Sequence, residues 1–134
     1  MGNMLARHSS QLLSVFRMVI GLLFMEHGTA KLLHFPYVPM FADVQMTSLM
    51  GVAGVLEIAG GLLLAVGLFT RVTAFVLSGE MAVAYFMVHA PKGFYPMMGG
   101  GNGGEIAVLY CFVFLYLAAA GGGPWSVDQL RHRG

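Results

Sequence analysis

The chain has 134 residues, of which 57% are hydrophobic and only 10% are charged. A soluble domain usually has about 25% charged residues, so this composition excludes an ordinary soluble globular protein and indicates an integral membrane protein. The net charge of +1 gives no reason to expect nucleic-acid binding, and the length leaves room for four membrane spans but for no soluble domain.

Four apolar stretches follow one another, each close to the roughly 20 residues that a membrane-spanning helix needs. We expect spans at residues 10–33, 48–69, 72–90 and 102–120, with loops rich in proline and glycine between and after them. The Thr70-Arg71 link is so short that the second and third spans must be antiparallel neighbours. The sequence therefore predicts an all-α membrane protein, a single domain over residues 1–134 folded as a four-transmembrane-helix bundle.

Basic residues are concentrated on one side of the predicted membrane. Arg7 precedes the first span, Arg71 links the second and third, and Arg131 and Arg133 follow the fourth. The positive-inside rule then predicts that both termini are cytoplasmic in a bacterial inner membrane.

Glycines at helical spacing mark the inward faces of the first two spans. In the second span, Gly51, Gly54 and Gly61 share a stripe with Glu57. Small residues allow close approach of another helix, so this stripe, and Glu57 with it, is expected to face the bundle interior. The first span has a matching face, which contains Arg17, Gly21, Phe24, Gly28 and Lys31.

Ionisable residues inside membrane spans are functional candidates, because burying them there is costly. Estimated depths divide them into two layers. The expected inner layer contains Arg17, Glu57 and Glu80, with Arg17 neutralising one or both acids. The expected outer layer contains Glu26, His27, Lys31, His89, Asn102 and Glu105.

Several of these residues also have structural interpretations. An Arg17–Glu57 pair could simply lock the bundle, and Asn102 with Glu105 is typical of a capping box at a helix start. Glu80 and His89 are nine residues apart, which places them on opposite sides of an ideal helix. A metal site built from histidines and glutamates is an alternative, but no paired metal-ligand spacing is present, so no metal is predicted.

Three motifs together resemble the DoxX family of small membrane proteins. They are Gly21-Leu-Leu-Phe-Met-Glu-His27-Gly28-Thr-Ala-Lys31, then Gly54-Val-Leu-Glu57-Ile-Ala-Gly60-Gly61 followed by Gly67-Leu-Phe-Thr70-Arg71, and finally Asn102-Gly-Gly104-Glu105. The Trp125-Ser126-Val127-Asp128 tail fits as well. The resemblance covers nearly the whole chain and implies a four-helix membrane bundle.

The resemblance implies less about activity, and the first hypothesis for function is a quinone-linked redox subunit that works with a partner protein. Some relatives are linked to thiosulfate:quinone oxidoreductase, where electrons pass to membrane quinone, and others to stress-response or thiol-redox complexes. The sequence has no motif for attaching flavin, haem or iron–sulfur clusters, so any catalytic role is expected to be that of an accessory subunit. Membrane lipids are expected neighbours, and a homo-oligomer is an open alternative.

The residues expected in such a site have two kinds of role, proton transfer and contact with the quinone. Glu57, Glu26 and His27 are the candidates for proton transfer. Contacts with the quinone are expected from Arg17, His27, Lys31, Glu57, Asn102 and Glu105. Two other functions stay open: a non-catalytic anchor or assembly subunit, in which buried charges only fix helix register, and a small-solute or proton pathway, since acids spread through a membrane can form relays.

Overall fold

A computed structural model describes residues 2–133, which form helices, turns and loops and contain no strand. A short helix α1 (Gly2–Arg7) precedes the long helix α2 (Ser9–Leu32). Helix α3 covers Leu49–Val66, α4 covers Thr70–Ala84 and α5 covers Glu105–Ala120. A final short helix, α6, covers Val127–His132.

Local sequence signals explain where α3 begins and ends. The Ser48 hydroxyl accepts a hydrogen bond from the Gly51 backbone N–H at 3.0 Å, which caps the first turn. Gly67 ends the helix in the left-handed conformation, with φ of 76°, which glycine adopts without steric cost.

The predicted capping box at the start of α5 is wrong. The residue before the helix is Gly104, and no side chain caps it. The Asn102 carboxamide oxygen instead accepts from the Gly104 N–H at 2.8 Å, while its nitrogen donates to the Tyr85 hydroxyl and to Gly93 O. The Asn102 side chain therefore stabilises the loop before the helix instead of capping it. Glu105 is the first residue of α5 and is exposed.

The predicted glycine faces of α2 and α3 pack against each other. A Cβ atom on Gly21 would lie 2.7 Å from Gly61 O, and one on Gly28 would lie 2.5 Å from Gly54 O. Distances this short leave no space for a side chain, so the two helices touch backbone to backbone. The prediction that these faces point inward is confirmed.

Helices α3 and α4 are in close contact at Gly60 of α3. A Cβ atom on Gly60 would lie 2.8 Å from the Leu77 side chain, while a Cβ on Gly79, two residues after Leu77 and on another face of α4, would meet nothing within 4 Å. The hydrophobic core includes the Leu77 side chain of this contact. It consists of Phe24, Leu64, Ala74, Leu77, Met81, Ala107, Phe114 and Leu117.

The C-terminal segment folds back under one end of the bundle, which we call the tail end. The Asp128 carboxylate accepts from the backbone N–H groups of Phe69 at 2.7 Å and Thr70 at 2.9 Å, at the start of α4. The Arg71 guanidinium donates to the Ala118 and Ala119 carbonyls at the end of α5. These contacts neutralise helix ends of opposite polarity.

The helices have the length and composition of a multi-pass membrane protein. Within the described residues, the segments Ser9–Leu32, Leu49–Val66 and Thr70–Lys92 are long and apolar enough to cross a membrane. Helix α5 is apolar but has 16 residues. The structure is thus a helical membrane bundle, as predicted, while the division of one domain into four spans with the stated bounds stays a prediction.

Candidate functional site

Among residues 2–133 Arg17 pairs with no acid, and the expected inner layer of charges is wrong. Its side chain is fully buried, and its guanidinium donates to four backbone carbonyls: Gly122, Leu64, Ala65 and Trp125, at 2.5–2.9 Å. Two of these carbonyls belong to the last turn of α3, where a cation complements the helix dipole. Arg17 therefore joins α2, α3 and the C-terminal segment at the tail end.

Glu57 pairs instead with Lys31. The Lys31 ammonium lies 2.6 Å from Glu57 Oε1, and the two side chains are 11% and 2% exposed. Lys31 comes from the last turn of α2, and the glycine contacts between α2 and α3 bring this turn beside Glu57. The second carboxylate oxygen of Glu57 is buried and has no hydrogen-bond partner among the described residues.

Glu80 lies in the same region as Glu57. Glu57 is three residues before Gly60 on α3, and Glu80 is three residues after Leu77 on α4, so each stands one turn from the Gly60–Leu77 contact. Both Glu80 oxygens are buried, and neither has a partner in the part of the chain that the structure describes. The sequence predicted Glu80 in an inner layer with Arg17 and not among the site residues.

These residues form the floor of a cavity at the end of the bundle opposite to the tail end. Its volume is about 660 Å³. The polar lining consists of Glu26, His27, Lys31, Glu57, Glu80 and His89. The apolar lining includes Phe24, Ala30, Val38, Phe41, Leu56, Met81, Ala84, Met87, Ile106, Ala107 and Tyr110.

His89 lines the cavity together with Glu80, contrary to the prediction that they face opposite sides of their helix. The five residues Tyr85–His89 form a π-helical turn at the end of α4. Such a turn holds more residues than an α-helical one, so it rotates the residues that follow. The His89 ring nitrogen Nδ1 lies 3.1 Å from Asn102 O, which fixes its position.

Aromatic side chains from α2 and α5 make one wall. The Phe24 ring lies 5.1 Å from the Tyr110 ring, and His27 lies 5.8 Å from Tyr110 in an edge-to-face arrangement. Phe24 also contacts Phe114 in the core at 4.8 Å. The Phe41 ring, which also lines the cavity, covers the Lys31 ammonium at 5.7 Å.

The cavity is not sealed from the surface. Val52 on α3 and Val83 on α4 line it and are also 51% and 54% exposed, and Met87 beyond them is 58% exposed. Because lining residues of both helices are exposed, an apolar passage leads outward between α3 and α4.

The structure thus divides the predicted site residues into two groups. Glu26, His27, Lys31 and Glu57 line the cavity. Arg17 lies at the tail end, Asn102 is buried behind His89, and Glu105 is exposed at the start of α5; none of the three lines the cavity. Their predicted role in cofactor binding stays a prediction. The sequence offers one signal for Glu80. Counted in residues, it lies about as far after the α3–α4 turn as Glu57 lies before it, which places both at a similar depth.

The arrangement is suited to a ligand with a small polar head and an apolar body. Lysine and histidine can donate hydrogen bonds, and carboxylates can accept them or exchange protons. The apolar walls would exclude water around such a head and so strengthen its hydrogen bonds.

Comparisons with known proteins agree with the motifs. A family model described as DoxX matches residues 12–90. A protein of Haemophilus influenzae, described as uncharacterised, is 44% identical over 138 residues, which cover 95% of this chain and 96% of that protein. No solved structure matches the chain. The family match covers more than half of the sequence, including the glycine face and the Lys31–Glu57 pair, and the chain therefore belongs to the DoxX family.

Proposed function

We propose that this protein is a quinone-linked redox subunit, in which the cavity binds the ring of a membrane quinone and a partner protein exchanges electrons with it. The observation that carries the proposal is the mostly apolar cavity of about 660 Å³ with the Lys31–Glu57 pair and Glu80 at its floor. Ligand sites in proteins typically have volumes of about 300–1,000 Å³, apolar walls and a few polar groups.

The residues present fit a quinone in three respects. The ring would lie against the aromatic wall of Phe24 and Tyr110. The Lys31 ammonium and the His27 ring would donate hydrogen bonds to its oxygens, and Glu57 or Glu26 would hold the protons that accompany electron transfer. An apolar tail would leave through the passage between α3 and α4, where Val52 and Val83 are exposed. Quinone, when bound, supplies the electron-accepting chemistry that the side chains lack.

The test is a thermal melt of the purified protein in detergent, with and without ubiquinone and menaquinone analogues. A ligand that binds only the folded state stabilises it by about 2.7 kcal/mol at a hundredfold excess over its dissociation constant. We expect a saturable rise in melting temperature that is smaller in His27→Ala and unchanged in His8→Ala, a histidine outside the cavity.

The opposite outcome would favour the anchor function. If protein freed of bound lipid and quinone shows no shift with any analogue, the cavity does not bind quinones. The buried charges would then be structural, and recovery of a partner protein would become the relevant measurement.

We also propose that the tail end faces the cytoplasm of a bacterial inner membrane, with both termini inside. In a Cys111→Ser background, single cysteines at Asn3 and Lys92 would be labelled with a membrane-impermeant reagent in intact spheroplasts. We expect labelling at position 92 and none at position 3. Reaction at position 3 instead would reverse the orientation.

A further inference from the structure

Hydrogen-bond acceptors without partners are concentrated at the floor of the cavity. Four buried side-chain atoms in residues 2–133 lack a hydrogen-bond partner. Three of them are Glu57 Oε2 and the two oxygens of Glu80; the fourth is Thr70 Oγ1 at the tail end. Buried acceptors are normally paired, so the floor lacks donors that a ligand could supply.

The donors already present do not meet this need. The Lys31 ammonium bonds Glu57 Oε1 at 2.6 Å and is covered on another side by the Phe41 ring. The cavity lining has three carboxylates, Glu26, Glu57 and Glu80, with six oxygens in all, against one lysine and the rings of His27 and His89. Its polar floor is therefore richer in acceptors than in donors.

We infer that the site is complementary to the hydroquinone form of its ligand rather than to the quinone form, and that Glu80 is the residue that decides between them. This inference rests on the proposed quinone function. A quinone carbonyl only accepts hydrogen bonds, so it could use Lys31 or His27 but would leave Glu57 Oε2 and both Glu80 oxygens unpaired. A hydroquinone hydroxyl accepts and donates, so it could accept from Lys31 and donate to Glu80 or Glu57.

The preference has a consequence for the direction of electron flow. A site that binds the reduced form more tightly raises the midpoint potential of the bound couple. A tenfold preference corresponds to about 30 mV for a two-electron couple. The bound ligand would accept electrons from the partner more readily than the same quinone does free in the membrane.

The experiment measures both dissociation constants under anaerobic conditions. The probes are a decyl-tailed benzoquinone and its hydroquinone, bound to the full-length protein in detergent and measured by equilibrium dialysis. We expect the hydroquinone to bind about tenfold more tightly or better, because sites built to accept a hydrogen bond reject analogues that lack the donor.

Two variants test the assignment to Glu80. In Glu80→Gln the amide nitrogen can donate to a quinone carbonyl, so the preference is expected to fall to none or to reverse. Asp43→Asn makes the same chemical change in an exposed loop residue outside the cavity lining and should keep the wild-type ratio.

The outcomes separate this inference from the proposed function. Equal or tighter binding of the quinone to the wild-type protein would overturn the inference, while quinone binding itself would stand. An unchanged ratio in folded Glu80→Gln would overturn the role of that residue. Binding of neither form would contradict the proposed function itself.

Discussion

Replacing Lys31 by methionine should destabilise the bundle strongly, because it leaves Glu57 buried without its only partner in the described residues. Glu57 is 2% exposed and Lys31 is 11% exposed, so solvent cannot replace the missing ammonium. Removing one member of a buried ion pair typically costs about 3–5 kcal/mol. The loss would leave both carboxylate oxygens unpaired, since Oε2 already lacks a partner among residues 2–133.

The double variant Lys31→Met/Glu57→Met provides the control. Replacing both members by apolar residues of similar size is often close to neutral, so most of the lost stability should return. Unfolding would be followed in mixed detergent micelles by circular dichroism as the fraction of denaturing detergent is raised. If the double variant loses as much stability as the two single variants together, the pair contributes no coupling and Lys31 does not stabilise the buried Glu57.

Three further predictions concern residues outside the cavity. Arg17→Met should lower the free energy of unfolding by about 3–5 kcal/mol, because several buried carbonyls lose a charged donor. The same assay measures it, and wild-type stability in this variant would contradict the role of Arg17 in joining α2, α3 and the C-terminal segment. Gly28→Ala should cost about 1–3 kcal/mol, since its Cβ would overlap Gly54 O. In contrast, Gly79→Ala should be neutral or stabilising by up to about 1 kcal/mol, and equal effects of the two substitutions would argue against the α2–α3 contact. Asp128→Ala should cost about 0.5–2 kcal/mol as a lost helix cap.

The same aspartate should give the protein a measurable acid dependence. Burial by itself would raise the pKa of Asp128, but the N–H groups of Thr70 and Phe69 and the nearby Arg131 outweigh it and hold the pKa below its ordinary value. Its contribution to stability is therefore complete above the unfolded pKa of about 4 and is lost as the pH falls through the lower folded pKa. Melting temperatures of wild type and Asp128→Ala should converge below that range, and a constant difference down to pH 2 would contradict the contribution of this carboxylate.

Most of the fold could be predicted from periodicity and composition. Low charge and long apolar stretches indicate a membrane protein, and glycines three and four residues apart identify the packed faces of α2 and α3. These signals are local, because a helix places such residues on one stripe whatever surrounds it. For the same reason, the sequence by itself determined that Glu57 and Lys31 lie on inward faces.

Only the tertiary structure decided which charge meets which partner. Arg17 and Lys31 share one face of α2, so either could have paired with Glu57. The contacts of Gly21 with Gly61 and of Gly28 with Gly54 set the register of the two helices. They bring Arg17 to the carbonyls of Leu64 and Ala65, seven and eight residues beyond Glu57, which is about 10–12 Å along a helix. Helical spacing does not encode contacts between elements that are distant in sequence. Three features depend on such contacts: this offset, the π-helical turn that brings His89 to the cavity, and the return of the C-terminal segment under the bundle.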